Sequence, residues 1–243
     1  MQIIKLSAID STNSYLKNLL TENTLEDLTV VVAEKQLNGR GQMGTTWVAE
    51  DGKNLTFSVL KRFGGFAVRH QFRINMIISL AVYDVLKAVG VPDLKVKWPN
   101  DILSGSKKIC GILIENILSG TTIQSSVIGI GLNVNQQDFG SLPNVSSLKL
   151  LLGTSFNLEE LLQMLIQQLA KRFKAYEADE FANLQEEYET HLFRRKKPST
   201  FENPEGELFM GFIKGVSPEG KLEVILEDQV VVTYGLKEIK LLY

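Results

Sequence analysis

A glycine-rich loop at residues 39–47, GRGQMGTTW, contains the residue types in this chain that best suit the binding of a small anion. Its glycines, Gly39, Gly41 and Gly44, can adopt positive φ at little cost, which lets backbone N–H groups converge on one anion. Arg40 adds a guanidinium whose forked geometry matches a carboxylate or a phosphate. Glycine-rich sequences also form plain long turns. From its residues alone, the loop is therefore either an anion site or a turn.

Three motifs that follow the loop carry further polar residues: KWPND at 97–101, KKICGILIE at 107–115 and GIGLNVN at 129–135. Lys108 begins a strand-like segment, and Gly111 would let a ligand approach that strand closely. Without a ligand, Lys108 is simply a solvated charge at a strand start. Asn100 and Asn133 carry amides that donate and accept along one edge, which suits adenine. Asn100 equally suits the turn that its motif predicts.

The segment DSTN at residues 10–13 is typical of a helix N-terminus, since Ser11 and Thr12 can cap the first turn. A helix N-terminus also presents free N–H groups and polar side chains to a ligand, so capping and ligand binding are compatible here. Trp47, at the end of the glycine loop, offers a flat face that could cover a base or pack into the core.

Around the glycine loop, the four segments DSTN, KWPND, KKICGILIE and GIGLNVN, in this order along the chain, resemble the biotin–protein ligases, which activate biotin with ATP and attach it to a lysine of a carrier domain. The resemblance covers about residues 8–135 with specific motifs and the remainder more loosely. It implies that biotin and Mg·ATP form biotinyl-5′-AMP, which the lysine of a biotin carboxyl carrier protein then attacks. Both reactants of the first step are anionic, so the site needs fixed cations and oriented N–H dipoles shielded from water.

The resemblance also implies a role for each matched residue. Arg40 and Lys108 would contact the biotin carboxylate and the adenylate phosphate, and we expect them to be the catalytic pair. The expected biotin-binding residues are Ser11, Thr12, Asn13, Gln36, Arg40, Gly41, Gln42, Lys108 and Gly111. The expected adenine-binding residues are Trp47, Asn100 and Asn133. Asp101 is expected to hold Mg²⁺, which takes one or two carboxylates together with phosphate oxygens.

The chain departs from the family pattern at two places. Gln42, Met43 and Thr45 stand at the later three arginine positions of the family's G-R-G-R-R-G-R loop, so charge must rest on Arg40 and Lys108. Near the C-terminus, Leu242 occupies a position where many members have arginine. The contribution of the C-terminal barrel to ATP binding is therefore left open.

Predicted helices and antiparallel hairpins mix along the chain, which indicates an α+β fold with a largely antiparallel sheet. The resemblance implies a class II synthetase-like catalytic domain at residues 1–194 and an SH3-like barrel at residues 195–243, where short strands also favour a small barrel. We predict a turn at Gly64-Gly65 and one long helical segment from Leu158 to about Phe193. The predicted strands lie at 1–8, 28–33, 54–60, 94–98, 108–118, 121–133, 207–215, 221–226 and 230–234, and the other predicted helices begin near residues 11 and 68.

Bulk properties set the expected partners and location. The net charge of −2 argues against a nucleic-acid-coating surface, and no apolar run is long enough to span a membrane. Because DSTN begins at residue 10, we expect no preceding winged helix and no specific DNA binding. A single cysteine, Cys110, excludes an internal disulfide and fits a cytoplasmic protein. We expect this protein to be either a monomer or a homodimer.

Three other functional classes remain open at this point. A lipoate–protein ligase or octanoyl transferase shares the architecture, although a fatty chain needs no hydrogen-bonding partners such as Ser11, Thr12 and Asn13. A transcriptional repressor would need a DNA-binding domain. The C-terminal barrel could be an interaction module, but its fifty or so residues leave the upstream motifs unexplained.

Overall fold

Strands and helices alternate irregularly along the chain. The structure, a computed structural model, describes residues 2–178 and 183–243. Its elements are β1 (Ile3–Ile9), α1 (Thr12–Glu22), β2 (Val30–Gln36), β3 (Leu55–Ala67), α2 (Phe72–Ala88), β4 (Leu94–Lys97), β5 (Asp101–Ser104), β6 (Lys107–Ser119), β7 (Thr122–Leu132), α3 (Leu148–Leu152), α4 (Leu158–Glu177), α5 (Leu184–Thr190), β8 (Pro198–Glu202), β9 (Leu208–Val216), β10 (Leu222–Leu226), β11 (Val231–Tyr234) and β12 (Lys240–Leu242).

The first seven strands form one sheet in the order β1-β2-β3-β7-β6-β5-β4. Only β1 and β2 pair in parallel, and every other neighbouring pair is antiparallel. Because successive strand residues point to opposite faces, the two sides of the sheet bury different helices. Helices α2 and α4 cover one face, whereas Leu16 of α1 packs on the other against Val31, Leu60 and Val127. The predicted α+β class with a largely antiparallel sheet is confirmed.

The last five strands form a second, antiparallel sheet in the order β11-β10-β9-β8-β12. Its buried side chains, among them Phe201 and Ile213, belong to the same apolar cluster as α2 and α4. At the contact, Trp98 donates its indole N–H to the carbonyl oxygen of Gly220 at 2.9 Å. A side chain at Gly220 would collide with the ring of Phe72, 2.5 Å away. The second sheet matches the expected C-terminal β domain, and its boundary at 194/195 stays a prediction.

Several predicted elements need correction. Gly64-Gly65 is not a turn: both residues lie within β3, where the pairing with β7 shifts register between Arg62 and Phe66. Glycine pairs serve bulges as well as turns, and here the strand continues beyond them. The predicted long helix from Leu158 is two helices, α4 and α5, and residues 179–182 between them lie outside the described residues. Strands β5, β8 and β12 were not predicted.

Membrane insertion through a helix finds no support in the fold. Across residues 2–178 and 183–243, no helix combines the length and the apolar character that a membrane crossing requires.

Candidate active site

A cavity of about 350 Å³ lies between the glycine loop and the face of the sheet that α1 covers. With one exception, Asn133, the predicted site residues line it. They are Ser11, Thr12, Asn13, Gln36, Arg40, Gly41, Gln42, Trp47, Asn100, Asp101, Lys108 and Gly111. Four separate stretches of sequence therefore meet at one place.

The deep end of the cavity is a buried chain of hydrogen bonds. Ser11 caps α1, as predicted, by accepting the backbone N–H of Ser14. Thr12 is bonded through its backbone N–H, at 2.9 Å, and its hydroxyl, at 3.1 Å, to the side-chain oxygen of Gln36. The hydroxyl of Ser58 lies 2.7 Å from that of Thr12 and 2.6 Å from the amide oxygen of Asn13. This polar floor can hydrogen-bond a neutral ligand group that both donates and accepts.

The wall of the cavity is a platform of three glycines on two paired strands. Gly111 of β6 lies directly opposite Gly131 of β7, and Gly129 shares their face of the sheet. A Cβ atom at Gly129 would lie 2.5 Å from the amide oxygen of Asn13, and one at Gly131 would lie 2.6 Å from Cζ2 of Trp47. The absence of three side chains therefore makes room for the indole of Trp47 and for a flat ligand.

The glycine loop folds as a small hairpin rather than as a ring of free N–H groups. The Gly41 N–H donates to the Thr45 carbonyl at 2.7 Å, and the Trp47 N–H donates to the Gly39 carbonyl at 2.9 Å. Of the three glycines only Gly44 has positive φ, 84°, so Gly39 and Gly41 do not use the left-handed conformations that glycine allows. Side chains at these two positions would instead collide with Trp47 and Thr45. Anion binding by the loop therefore depends mainly on Arg40.

Two cations reach the cavity, and each is held by a carboxylate. Lys108 lies with its Nζ 2.7 Å from Oδ1 of Asp101 and 5.7 Å from the ring centroid of Trp47, within the range of a cation–π contact. Arg40 lies with Nη2 3.2 Å from Oε1 of Glu115. An entering anion would compete with these carboxylates for both cations. The arrangement therefore suits a ligand whose negative charge is strong and localised.

The two asparagines predicted to bind adenine differ in position. Asn100 lines the cavity, although its amide nitrogen already donates to the carbonyl of Ile112 at 2.6 Å. Asn133 is buried outside the cavity lining, and its amide nitrogen donates to the carbonyl of Ser146 at 3.0 Å. Asn133 therefore does not line the cavity. Its side chain instead holds the loop that returns beside β6.

Asp101 alone does not make a metal centre. Within residues 2–178 and 183–243, no group of three or more histidine, cysteine, aspartate or glutamate side chains is placed to hold a metal ion. A single carboxylate suits only a Mg²⁺ ion that phosphate oxygens also hold. The assignment of Asp101 to Mg²⁺ stays a prediction.

Among the residues that sequence reasoning missed are Ser58 and Glu115, which hydrogen-bond Asn13, and the wall glycines Gly129 and Gly131. The two β7 glycines carried a signal, because alternate glycines in GIGLNVN leave one face of a strand bare. Glu115 also carried one, as the single charge that ends the apolar run GILI. Ser58 carried none, since an alternating strand contains such residues routinely.

Comparison with known proteins places this geometry in a family. The model of the biotin/lipoate A/B protein ligase family matches residues 6–133, more than half of the chain. The chain belongs to this family. The matched residues run past α1 to the end of β7, so they include the elements that build the cavity.

Individual relatives agree with the family assignment. The chain is 30% identical to the bifunctional ligase/repressor BirA of Bacillus spizizenii over 98% of its own length and 71% of the relative's. It is 36% identical to a biotin–[acetyl-CoA-carboxylase] ligase of Paracoccus denitrificans over 53% of each chain. The biotin protein ligase of Aquifex aeolicus, solved with biotin and ATP, superposes with a TM-score of 0.80 over 99% of this chain and 98% of that one, at 24% identity. At this identity the superposition shows a common fold.

Proposed function

We infer that the protein is a biotin–protein ligase, which activates biotin with ATP to biotinyl-5′-AMP and transfers biotin to a lysine of a biotin carboxyl carrier protein. One observation carries this inference. A single cavity combines a buried polar floor, built on Thr12 and Asn13, with two cations, Arg40 and Lys108. Biotin has two groups that complement these features: a neutral ureido ring for the polar floor and a carboxylate for the cations.

The residues of the cavity divide the work of the reaction. The ureido ring binds at the floor, where the amide oxygen of Asn13 offers an acceptor and Thr12 offers its hydroxyl group. Arg40 and Lys108 draw the biotin carboxylate and the α-phosphate of ATP together, against their mutual repulsion. A carboxylate oxygen then bonds to phosphorus while pyrophosphate leaves. In the second step the carrier lysine amine attacks the acyl carbon and AMP leaves. Mg²⁺ enters with ATP as part of the substrate and neutralises phosphate charge.

The named relatives support the same reaction. Two of them, from Paracoccus denitrificans and Mycobacterium tuberculosis, are named biotin–[acetyl-CoA-carboxylase] ligases. The ligase of Leishmania major was solved with biotinyl-5-AMP. The lipoate or octanoate alternative is less favoured because an alkyl chain offers no hydrogen-bonding group to the polar floor of Thr12, Asn13 and Gln36.

The expected reaction products test the function directly. With biotin and a biotin carboxyl carrier domain present, the protein should convert ATP to AMP and pyrophosphate in equal amounts, because the biotin carboxylate attacks the α-phosphate and the carrier lysine then displaces AMP. Product analysis by chromatography, with biotin, lipoate or no acid added, makes the measurement. Release of ADP and orthophosphate, or equal turnover with lipoate and biotin, would refute the assignment.

The remaining partners extend this proposal. We expect a cytoplasmic ligase, monomeric or homodimeric, that acts on a carrier domain and binds no specific DNA site. A net charge of −2 gives little general attraction to phosphate backbones. A gel-shift titration with promoter DNA and biotinyl-5′-AMP should show no saturable, sequence-selective retardation.

A further inference from the structure

Glu115 is a charged residue at the edge of the site with no role in the reaction described above. It lies on β6, two residues beyond Leu113, and alternation places it on the same face as Gly111 and Leu113. Both of those residues line the cavity. Its side chain is 20% exposed, so the carboxylate needs partners to be stable there.

Three groups from two distant segments converge on this one carboxylate. Oε1 lies 2.7 Å from Nζ of Lys17, in α1, and 3.2 Å from Nη2 of Arg40, in the glycine loop. Oε2 accepts a 2.9 Å hydrogen bond from the amide nitrogen of Asn13. Burial alone would raise the pKa of Glu115, but the hydrogen bonds from Lys17 and Asn13 and the positive charges of Lys17 and Arg40 outweigh it and lower the pKa. The carboxylate is therefore ionised at neutral pH.

An ionised carboxylate helps to fix which way the amide of Asn13 points. It can only accept, as can the carbonyl oxygen of Leu113, which lies 3.3 Å from the same amide nitrogen. Asn13 therefore directs its nitrogen to these two acceptors and its oxygen to Ser58, beside the platform glycine Gly129. The reversed amide would place two oxygens against each other. The floor of the cavity therefore presents a hydrogen-bond acceptor at this point, which is what a ureido N–H requires.

The same carboxylate holds Arg40 from the other side. Arg40 is 48% exposed and has one further contact, a 3.3 Å hydrogen bond to the hydroxyl of Ser14. Lys17 and Arg40 together carry two positive charges against the single charge of Glu115, so the cluster keeps a net positive charge that can attract an anion. One side chain thus contacts both the residue at the ureido end and the residue at the carboxylate end.

We propose that Glu115 is a positioning residue of the ligase site, which sets the hydrogen-bonding polarity of Asn13 and anchors Arg40 in the ligand-free protein. The proposal rests on the proposed function for the identity of the ligand, and its two contacts are properties of the free protein. Glu115→Gln is the informative variant. Its amide must direct an NH₂ group either at the donor of Asn13 or at the cations Lys17 and Arg40, and both arrangements are unfavourable.

The Asn13 contact is tested by a double-mutant cycle in biotin binding. Calorimetry on the full chain should show that Glu115→Gln weakens biotin binding about tenfold or more, because a charge-assisted hydrogen bond and the correct amide orientation are lost. If Glu115 acts through Asn13, adding Glu115→Gln to Asn13→Ala should cause little further loss. This half of the proposal would be overturned if the losses of affinity from Glu115→Gln and Asn13→Ala multiply in the double variant. It would also be overturned if Glu115→Gln alone binds biotin within twofold of wild type. Equal thermal midpoints would exclude unfolding as the cause.

The Arg40 contact is tested without any ligand. Trypsin cleaves after arginine and lysine, so the rate at which peptides with Gly41 as their new N-terminus appear in the free protein reports how firmly Arg40 is held. Glu115→Gln should produce this N-terminus at least about threefold faster than wild type. Glu159→Gln, which breaks the exposed ion pair with Lys5, is the matched control and should match wild type. Equal rates in all three proteins would overturn the anchoring role.

The two outcomes separate the proposals. A wild-type protein that binds no biotin would refute the proposed function, while the trypsin comparison would still decide whether Glu115 holds Arg40.

Discussion

Replacing Lys108 with alanine is expected to slow the formation of biotinyl-5′-AMP by about a hundredfold or more while weakening biotin binding far less. The ammonium group stabilises negative charge that becomes crowded only when the carboxylate meets the α-phosphate, so its loss appears mainly in the rate. Removal of one preorganised charge-stabilising donor costs rates of about this size in other enzymes. Single-turnover measurement of adenylate, alongside calorimetry with biotin, separates the two effects.

The neighbouring lysine provides a matched control for this variant. Lys107 lies one position earlier on β6, is exposed and does not line the cavity. Lys107→Ala removes the same charge from the same strand and should leave the rate within about twofold of wild type. Similar losses in the two variants would show that the effect of Lys108 comes from general charge. Unchanged turnover in a folded Lys108→Ala protein would remove Lys108 from the mechanism.

Replacing Gly131 with alanine is expected to lower adenylate formation at least about tenfold through displacement of Trp47. The new methyl group would meet the six-membered part of the indole, with Cζ2 only 2.6 Å away, and β7 cannot retreat because β3 and β6 pair with it on both sides. Displacements of about 1 Å are enough to reduce catalysis strongly. Turnover is measured with biotin and ATP, and the shift of tryptophan emission reports movement of the indole.

A second glycine in the same sheet controls for the change in backbone entropy. A methyl group at Gly64 would meet nothing within 4 Å, and Gly64 does not have positive φ. Gly64→Ala should therefore keep wild-type turnover and emission. If Gly131→Ala also keeps both, the platform does not position Trp47.

The sequence predicts those features of the site that depend on local chemistry. Ser11 of the DSTN segment caps α1 because its hydroxyl oxygen accepts a hydrogen bond from a backbone N–H of the first turn. The polar residues that follow it therefore lie at the helix N-terminus. Similarly, the alternation in β3 predicts that Leu55, Phe57 and Val59 share one face, and they do so in the apolar cluster with α2 and α4, although the opposite face is buried as well. The resemblance to the biotin–protein ligases then implies that α1, the glycine loop and β6 meet at one site.

What the sequence cannot predict depends on pairing between distant segments. An asparagine amide suits adenine equally well at positions 100 and 133, and only the return of residues 144–146 beside β6 turns Asn133 away from the cavity. A glycine indicates that either positive φ or missing bulk is needed, and the two cannot be separated without the neighbours. Glu115 meets Asn13 and Arg40 across 102 and 75 positions of sequence, a separation that no local pattern encodes.

The contact between Trp98 and Gly220 has a consequence for how this enzyme can evolve. Trp98 belongs to the segment KWPND, whose Asn100 and Asp101 line the cavity two and three positions later. The same short segment therefore faces the reaction at one end and the C-terminal sheet at the other. A replacement C-terminal unit from another protein would need a carbonyl oxygen at the position of Gly220, to accept the indole N–H of Trp98. It would also need to lack a side chain there, because Phe72 occupies that space. The second sheet is thus a poor candidate for exchange as a module, because its hairpin at Gly220 must fit Trp98 and Phe72, and Trp98 belongs to a segment that also lines the cavity.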